Sequence, residues 1–378
     1  MVPLKWVTIL VPLALIFVIG LTAQPARADY RQKAEEETDF IQAHFYDATA
    51  QRYRAGYPAD PKALPYDFMW ANGVQLSVLA LAAQTDPVKY SNPLYDFTRG
   101  LEAYWDPAAP VPGYNAWCSG PGGTDKYYDD NAWVALDFVE AFKATHDPLF
   151  LQKAYATQRF VLSGWDDTLG GGLYWKLDRQ GKNACSNAPA AAAALSLVQT
   201  TRSQTQLAWA LRIRDWTNSH LQDTDGLYWD NVNMKGEVQK TKWTYNTALM
   251  IRTDLLLYRL KSDKSYLTEA KRLSNAGLAA WTDPKTGSLQ KTEDSPRFSN
   301  YFCEALLRLY DETHDPKYLN AVRRQADFAY AHVRDPQGGY WDNWKAASHA
   351  PDERKSLIEN ASVARLFWLL APYPEAGG

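Results

Sequence analysis

The chain has 378 residues, of which 46% are hydrophobic and 22% charged, with a formal net charge of −3. That apolar content suffices for a large core and excludes disorder for the bulk of the chain. A weakly acidic chain without a basic run excludes the usual electrostatics of a nucleic-acid binder. Aromatic residues make up 13%, with 15 Trp and 23 Tyr against 4 Met, and many stand in Gly-rich segments. Exposed indole and phenol rings suit a ligand that offers C–H faces to stack on, such as a sugar.

At the N-terminus, Lys5 precedes a mostly apolar run from Trp6 to Leu21 and then Ala26-Arg27-Ala28. This order predicts a secretory signal over residues 1–28, cleaved after Ala28, and a single domain over 29–378. The run is short for a membrane span. Export, no membrane attachment after cleavage, and a monomer are the resulting expectations. Three cysteines leave one unpaired in any scheme. Cys118 and Cys185 lie in polar segments where export would permit pairing. Cys303 lies in an apolar helical stretch and reads as a buried thiol. The six His residues show no metal-ligand spacing.

From Tyr30 to Asp47 the pattern predicts a polar helix. After it, one feature recurs six times: an Asn near the start of an apolar, helix-periodic segment. These are Asn72, Asn131, Asn187, Asn246, Asn300 and Asn360. Most of the apolar helices end in a short turn such as Thr145-His146-Asp147-Pro148 or Thr313-His314-Asp315-Pro316. Asp-Pro stops one helix and starts the next. A more polar helix follows, as from Tyr266 to Ala280 and from Tyr318 to Val333.

About twelve helices in six hairpins, one set apolar and one amphipathic, predict an all-α (α/α)6 toroid with the apolar set inside. An open solenoid would need polar capping repeats, and the segment from Ile358 to Leu370 is as apolar as the others. Segments entering the apolar helices run roughly 15 to 24 residues, well beyond ordinary connections. They gather on one face, the natural place for a site. Gly171-Gly172-Leu173-Tyr174-Trp175, Gly226-Leu227-Tyr228-Trp229-Asp230 and Gly338-Gly339-Tyr340-Trp341-Asp342 read as parts of short β-hairpins there.

A feature in every repeat reads as architecture, so the Asn is read as a cap or inter-helix hydrogen bond. The second repeat alone carries two adjacent carboxylates before its Asn, in Tyr127-Tyr128-Asp129-Asp130-Asn131-Ala132-Trp133. Adjacent residues at a helix start point in different directions, so the two carboxyl groups can flank one bond. A glycosidase needs one carboxylate as nucleophile or base and one carboxylic acid as proton donor. Two nearby carboxylates raise one another's proton affinity, which lets one of them stay protonated. The residues alone do not say which does which.

Tyr-Tyr-Asp-Asp followed by Ala-Trp resembles glycoside hydrolase family 76, the endo-α-1,6-mannanases and related fungal cell-wall transglycosidases. Gly171–Trp175 with Ser186-Asn187, and Gly226–Asp230 with Thr244-Tyr245-Asn246, resemble further segments of that family. The resemblance spans roughly residues 60 to 310. It implies Asp129 as nucleophile and Asp130 as acid/base, with Asp230, Tyr245 and Asn246 lining the cleft and no metal or cofactor. Asn131, Val134 and Thr247-Ala248 depart from the family pattern at positions bordering the substrate. Asp67, Trp70, Trp117, Tyr128, Asn187 and Trp243 complete the candidate substrate-binding residues, while Glu359, at the position of Asp130 in the sixth repeat, reads as a helix-start carboxylate. The resemblance implies cleavage of α-1,6-mannan-type polysaccharide within the chain, with retention. Other toroid activities are less well matched. An epimerase would want paired His residues, and an unsaturated-uronyl hydrolase would want a basic cleft.

Overall fold

The computed structural model describes residues 29–108, 111–118, 125–289, 296–346, 348–350 and 352–373. The expected signal segment, residues 1–28, lies outside them. Among the described residues there are twelve α-helices. Six form an inner set: α2 (Met69–Thr85), α4 (Tyr128–Thr145), α6 (Ala184–Thr201), α8 (Thr244–Lys261), α10 (Pro296–Thr313) and α12 (Leu357–Leu370). Six form an outer set: α1 (Tyr30–His44), α3 (Pro87–Gly100), α5 (Pro148–Leu162), α7 (Gln204–Leu221), α9 (Lys264–Trp281) and α11 (Pro316–Phe328).

Each inner helix packs on the next, and α12 packs back on α2, so the inner ring closes. The outer helices lie against their inner neighbours as α2–α3, α4–α5, α6–α7, α8–α9 and α10–α11. The sixth pair joins the two ends of the described chain, with α1 lying against α12. This is the (α/α)6 toroid that the sequence predicts. Burial follows the composition: in α6 every residue from Ala184 to Val198 is buried, whereas α9 buries only one stripe.

The turns leaving the inner helices repeat one chemistry. His146, Arg202, Ser262 and His314 adopt left-handed φ between 53° and 60°. The residues that follow, Asp147, Ser203, Asp263 and Asp315, cap the next helix with a side-chain oxygen. A left-handed residue closes one helix and an N-cap opens the next.

The recurrent Asn has a common task. Asn131 accepts from the backbone N–H of Tyr114 and donates to its carbonyl and to that of Tyr127. Asn187 does the same with Leu173 and Asn183, and Asn360 with Tyr340 and Ser356. One side chain thus satisfies both backbone groups of a buried loop residue and adds a second donor to a carbonyl at the helix start. Asn72 and Asn300 also donate to carbonyls at their own helix starts. The fourth repeat departs from the predicted register. There Thr247, not Asn246, takes this position and accepts from Tyr228 N–H at 3.2 Å. Asn246 is fully buried one residue earlier.

A second tie repeats beside the first. Lys126, Lys182, Lys242 and Lys355 each stand two residues before an inner helix. They bond Asp106, Asp166, Asp223 and Asp335 respectively, at 2.5 to 2.8 Å. Lys182 also donates to the carbonyls of Thr168 and Gly171.

The Gly-aromatic segments pair by isolated bridges, Trp165 with Leu173, Tyr174 with Lys182, Gln222 with Tyr228 and Arg334 with Tyr340. The regular strands fall just after them, where 181–183, 231–233 and 238–239 form a three-stranded sheet. The glycines serve close approach: Gly172 has φ +89°, and a Cβ there would meet the Trp216 ring at 2.5 Å.

Away from the long loops, the ring interior is filled by charge. Arg252 bonds Glu140 and Glu304, Arg308 bonds Glu304, and Arg365 bonds Glu304, Asn300 and Ser77. Glu304 is held well below the usual carboxylate range by the three guanidinium groups, against its burial. Replacing Asn360 with Ala would orphan Tyr340 N–H and C=O in a buried setting. Denaturant unfolding should show a loss of about 2–4 kcal/mol, at the upper end for a polar deletion.

Candidate active site

The long loops and the N-termini of the inner helices enclose a cleft of about 630 Å³. Counting from the recurrent Asn or Thr, the residue two places earlier is Trp70, Asp129, Cys185, Tyr245, Phe298 and Ile358. The first five all line the cleft. One register position in the first turn of successive inner helices therefore supplies much of its floor. Asp130 joins them as the next residue of α4.

Of the predicted residues, the cleft brings together Asp129, Asp130, Trp70, Trp117, Asp230, Trp243 and Tyr245. Four others stand off it. Asn187 is fully buried and holds Leu173. Asn246 is fully buried behind Tyr245. Tyr128 stacks on Phe160 at 5.0 Å and borders a separate hollow of about 430 Å³ with Lys126 and Arg179. Asp67 is buried and accepts from Phe68 N–H at 2.8 Å; burial pushes its carboxyl up to about 7. Glu359 is likewise buried, paired with Arg297, and pushed up to about 7 by burial.

Several lining residues were not singled out from sequence: Phe68, Tyr127, Trp175, Asp178, Gln180, Asn183, Cys185, Asn231 and Phe298. Cys185 and Phe298 carried a usable signal, the shared position two before the recurrent Asn. Trp175 carried one too, as the end of the Gly-aromatic motif. The cysteines are all free. Cys118 is 3.2 Å from Arg52 Nη1, and Cys185 sits in the first turn of α6 rather than in a polar loop. Cys303 is a fully buried thiol, as predicted.

Aromatic rings build most of the wall. Tyr245 stacks on Phe298 at 4.9 Å, with Trp70 at 5.3 Å and Trp243 at 5.1 Å from the same ring. Phe68 connects Trp70 to Trp117. Across the cleft, Trp175 meets Tyr127 edge-on at 5.1 Å and keeps 41% of its surface exposed. Such rings present flat faces to C–H groups of a sugar.

The two aspartates stand in different surroundings. Oδ2 of Asp129 accepts from Trp175 Nε1–H at 2.9 Å and lies 3.4 Å from Cys185 Sγ. Burial raises its carboxyl above the ordinary range, and these donors restrain the rise by favouring the anion. Asp130 is 9% exposed. Burial and then the neighbouring charge of Asp129 push its carboxyl up. The arrangement therefore suits a carboxylate at Asp129 beside a carboxylic acid at Asp130. Asp230 accepts from Asn231 at 2.8 Å and is also raised by burial. None of the described lining residues is a cation. Among the described residues, no group of three or more His, Cys, Asp or Glu side chains is placed to hold a metal ion.

A folded carboxyl that keeps its proton while the unfolded chain releases one costs stability as pH rises above about 4. Asp130→Asn should therefore melt at a higher temperature than the parent at pH 7. The difference should shrink as pH falls through about 4 and close by about pH 3, where both states are protonated.

The family model for glycosyl hydrolase family 76 matches residues 29–367. A GH76 alpha-mannanase from Bacteroides thetaiotaomicron superposes with a TM-score of 0.84 at 26% identity, covering 92% of this chain and 96% of that one. The Meiotically up-regulated gene 191 protein of Schizosaccharomyces pombe is 24% identical over 290 residues, 67% of this chain and 64% of its own length. Mannan endo-1,6-alpha-mannosidase DCW1 of Saccharomyces cerevisiae is 27% identical over 150 residues, 36% of this chain and 33% of its own length. The chain thus spans less than two thirds of the curated relatives that it matches.

Proposed function

The chain belongs to glycosyl hydrolase family 76, and from that premise we propose that it hydrolyses α-1,6-mannan-type polysaccharide within the chain and with retention. The reading is carried by one observation: two adjacent carboxyl groups line one aromatic cleft, and the first is held by hydrogen-bond donors from Trp175 and Cys185; burial and the charge of Asp129 favour the protonated form of the second. The Bacteroides alpha-mannanase and the Saccharomyces mannan endo-1,6-alpha-mannosidase support the substrate class.

In this reading the Asp129 carboxylate attacks the anomeric carbon, while Asp130 gives its proton to the departing glycosidic oxygen. The bond between anomeric carbon and oxygen breaks as a glycosyl ester forms on Asp129. Asp130, now ionised, takes a proton from water, whose oxygen attacks the same carbon and frees Asp129. Two displacements restore the starting configuration. The two carboxyl groups suffice for this chemistry without a metal or cofactor. The aromatic wall of Trp70, Trp117, Trp243, Tyr245 and Phe298 holds the sugar faces, and Asp230 bonds hydroxyl groups. A cleft without lining cations fits a neutral glycan.

Export follows from the N-terminal pattern, with residues 29–378 acting as one catalytic domain. No helix among the described residues is long and apolar enough to cross a membrane.

The test is reducing-sugar release from linear α-1,6-mannan. The parent chain should be active, and Asp129→Asn and Asp130→Asn should each fall by about 10³-fold or more, as for loss of one member of a catalytic unit. Retention of parental activity by both variants would reduce the pair to helix-start carboxylates. Activity on another glycan alone, lost in both variants, would keep the mechanism and overturn the substrate.

A further inference from the structure

We infer that Trp175 and Cys185 form a two-donor clamp on one oxygen of Asp129 and act as positioning residues for this carboxylate. The inference rests on the reading of Asp129 as nucleophile. Trp175 Nε1–H points at Oδ2 from the 171–176 loop, 2.9 Å away. Cys185 Sγ approaches the same atom from the first turn of α6, 3.4 Å away. The two donors come from separate elements and converge on one acceptor, so together they fix the carboxyl torsion that neither would fix alone.

The chemistry of Cys185 fits a donor rather than a nucleophile. Its side chain is 5% exposed. Burial, then the charges of Asp129 and Asp230, push its thiol well above the ordinary value. The sulfur therefore keeps its proton and offers S–H to the carboxylate. The position is the same one that Trp70, Tyr245 and Phe298 occupy in their own helices. Those three present rings to the cleft, and Cys185 presents a donor to α4, the preceding inner helix.

The clamp acts against a specific electrostatic background. Asp130 on α4, Tyr127 at the head of α4 and Tyr245 on α8 stand against Asp129, and Asp230, which also lines the cleft, acts on Cys185. The nearby ammonium of Lys176 is engaged with Asp178 at 3.2 Å. Asp129 therefore relies on hydrogen-bond donors, not on a cation, to remain charged among acids. A weak donor on a charged acceptor should be worth roughly a fivefold factor in rate, equivalent to about 0.7 pH unit.

The experiment compares the parent with Cys185→Ala, Cys185→Ser and Trp175→Phe. Two readouts are taken: the titration of the Asp129 carboxyl carbon by NMR in Asp-labelled protein, and the pH profile of kcat/KM on α-1,6-mannan. Cys185→Ala and Trp175→Phe should each raise the Asp129 titration midpoint and move the acid limb of the profile upward. The kcat should fall about fivefold, with KM little changed for Cys185→Ala. Cys185→Ser keeps a donor and should restore the titration midpoint toward the parent value. Trp175 is partly exposed, so its variant reports even if the cavity left by Cys185→Ala impairs folding. Unchanged Asp129 titration in both Cys185→Ala and Trp175→Phe would overturn the clamp. The NMR readout needs no substrate, so inactivity of the parent on mannan would overturn the proposed function separately.

Discussion

A side chain in the first turn of four of the six inner helices fastens a long loop to the ring, and the cleft depends on it. Where it is Asn131, Asn187 or Asn360, it closes a loop backbone N–H and C=O at once. Thr247 makes the N–H half of the same tie. Long loops carry backbone groups that burial would otherwise leave unpaired. Fastening one loop residue to the helix start solves that problem and fixes where the loop crosses the ring. Two places before the ties of Asn131, Asn187 and Thr247 stand Asp129, Cys185 and Tyr245, which line the cleft. The lysine-to-aspartate ties of Lys126, Lys182, Lys242 and Lys355 fasten the other end of the same loops. Loop architecture and cleft chemistry thus share one register.

The two regions of the ring treat charge in opposite ways. Among α4, α8, α10 and α12, Glu140 and Glu304 lie among Arg252, Arg308 and Arg365, and Glu304 stays ionised despite full burial. In the cleft, Asp129 and Asp130 have no lining cation among the described residues, and both are raised by burial. The first arrangement satisfies its charges and seals the ring. The second leaves a desolvated pair, in which a proton on one member relieves the repulsion while the donors from Trp175 and Cys185 favour charge on Asp129. An asymmetric protonation state is what acid-assisted displacement requires. The N-terminal turn of α4 favours negative charge there and limits the cost.

Much of this was legible in the sequence because the repeat is written in chemistry, not only in hydropathy. Asn72, Asn131, Asn187, Asn300 and Asn360 mark the inner helices, and Asp-Pro turns mark the exits. The uniqueness of Asp129-Asp130 among the repeats pointed to the cleft. Reading Asn246 as the fourth marker failed because Thr247 can do part of the same task with a hydroxyl, and an Asn happens to precede it. Asn187 was read twice, as architecture and as substrate contact; its fully committed amide leaves only the first. Tyr128 and Asp67 sit beside cleft residues in sequence, but a helix start turns neighbours to different sides. The ion cluster was not legible. Arg252, Glu304 and Arg365 sit singly in apolar helices, and only the closing of the ring brings them together.

The proposed pairing of Asp129 as nucleophile with Asp130 as acid/base fixes the stereochemistry of the released sugar. The direct measurement is proton NMR of the anomer released first from an α-1,6-mannooligosaccharide, before mutarotation. Two displacements through Asp129 predict that the α-anomer forms first and relaxes toward equilibrium. Initial appearance of the β-anomer would mean a single displacement by water, and would contradict the nucleophilic role of Asp129.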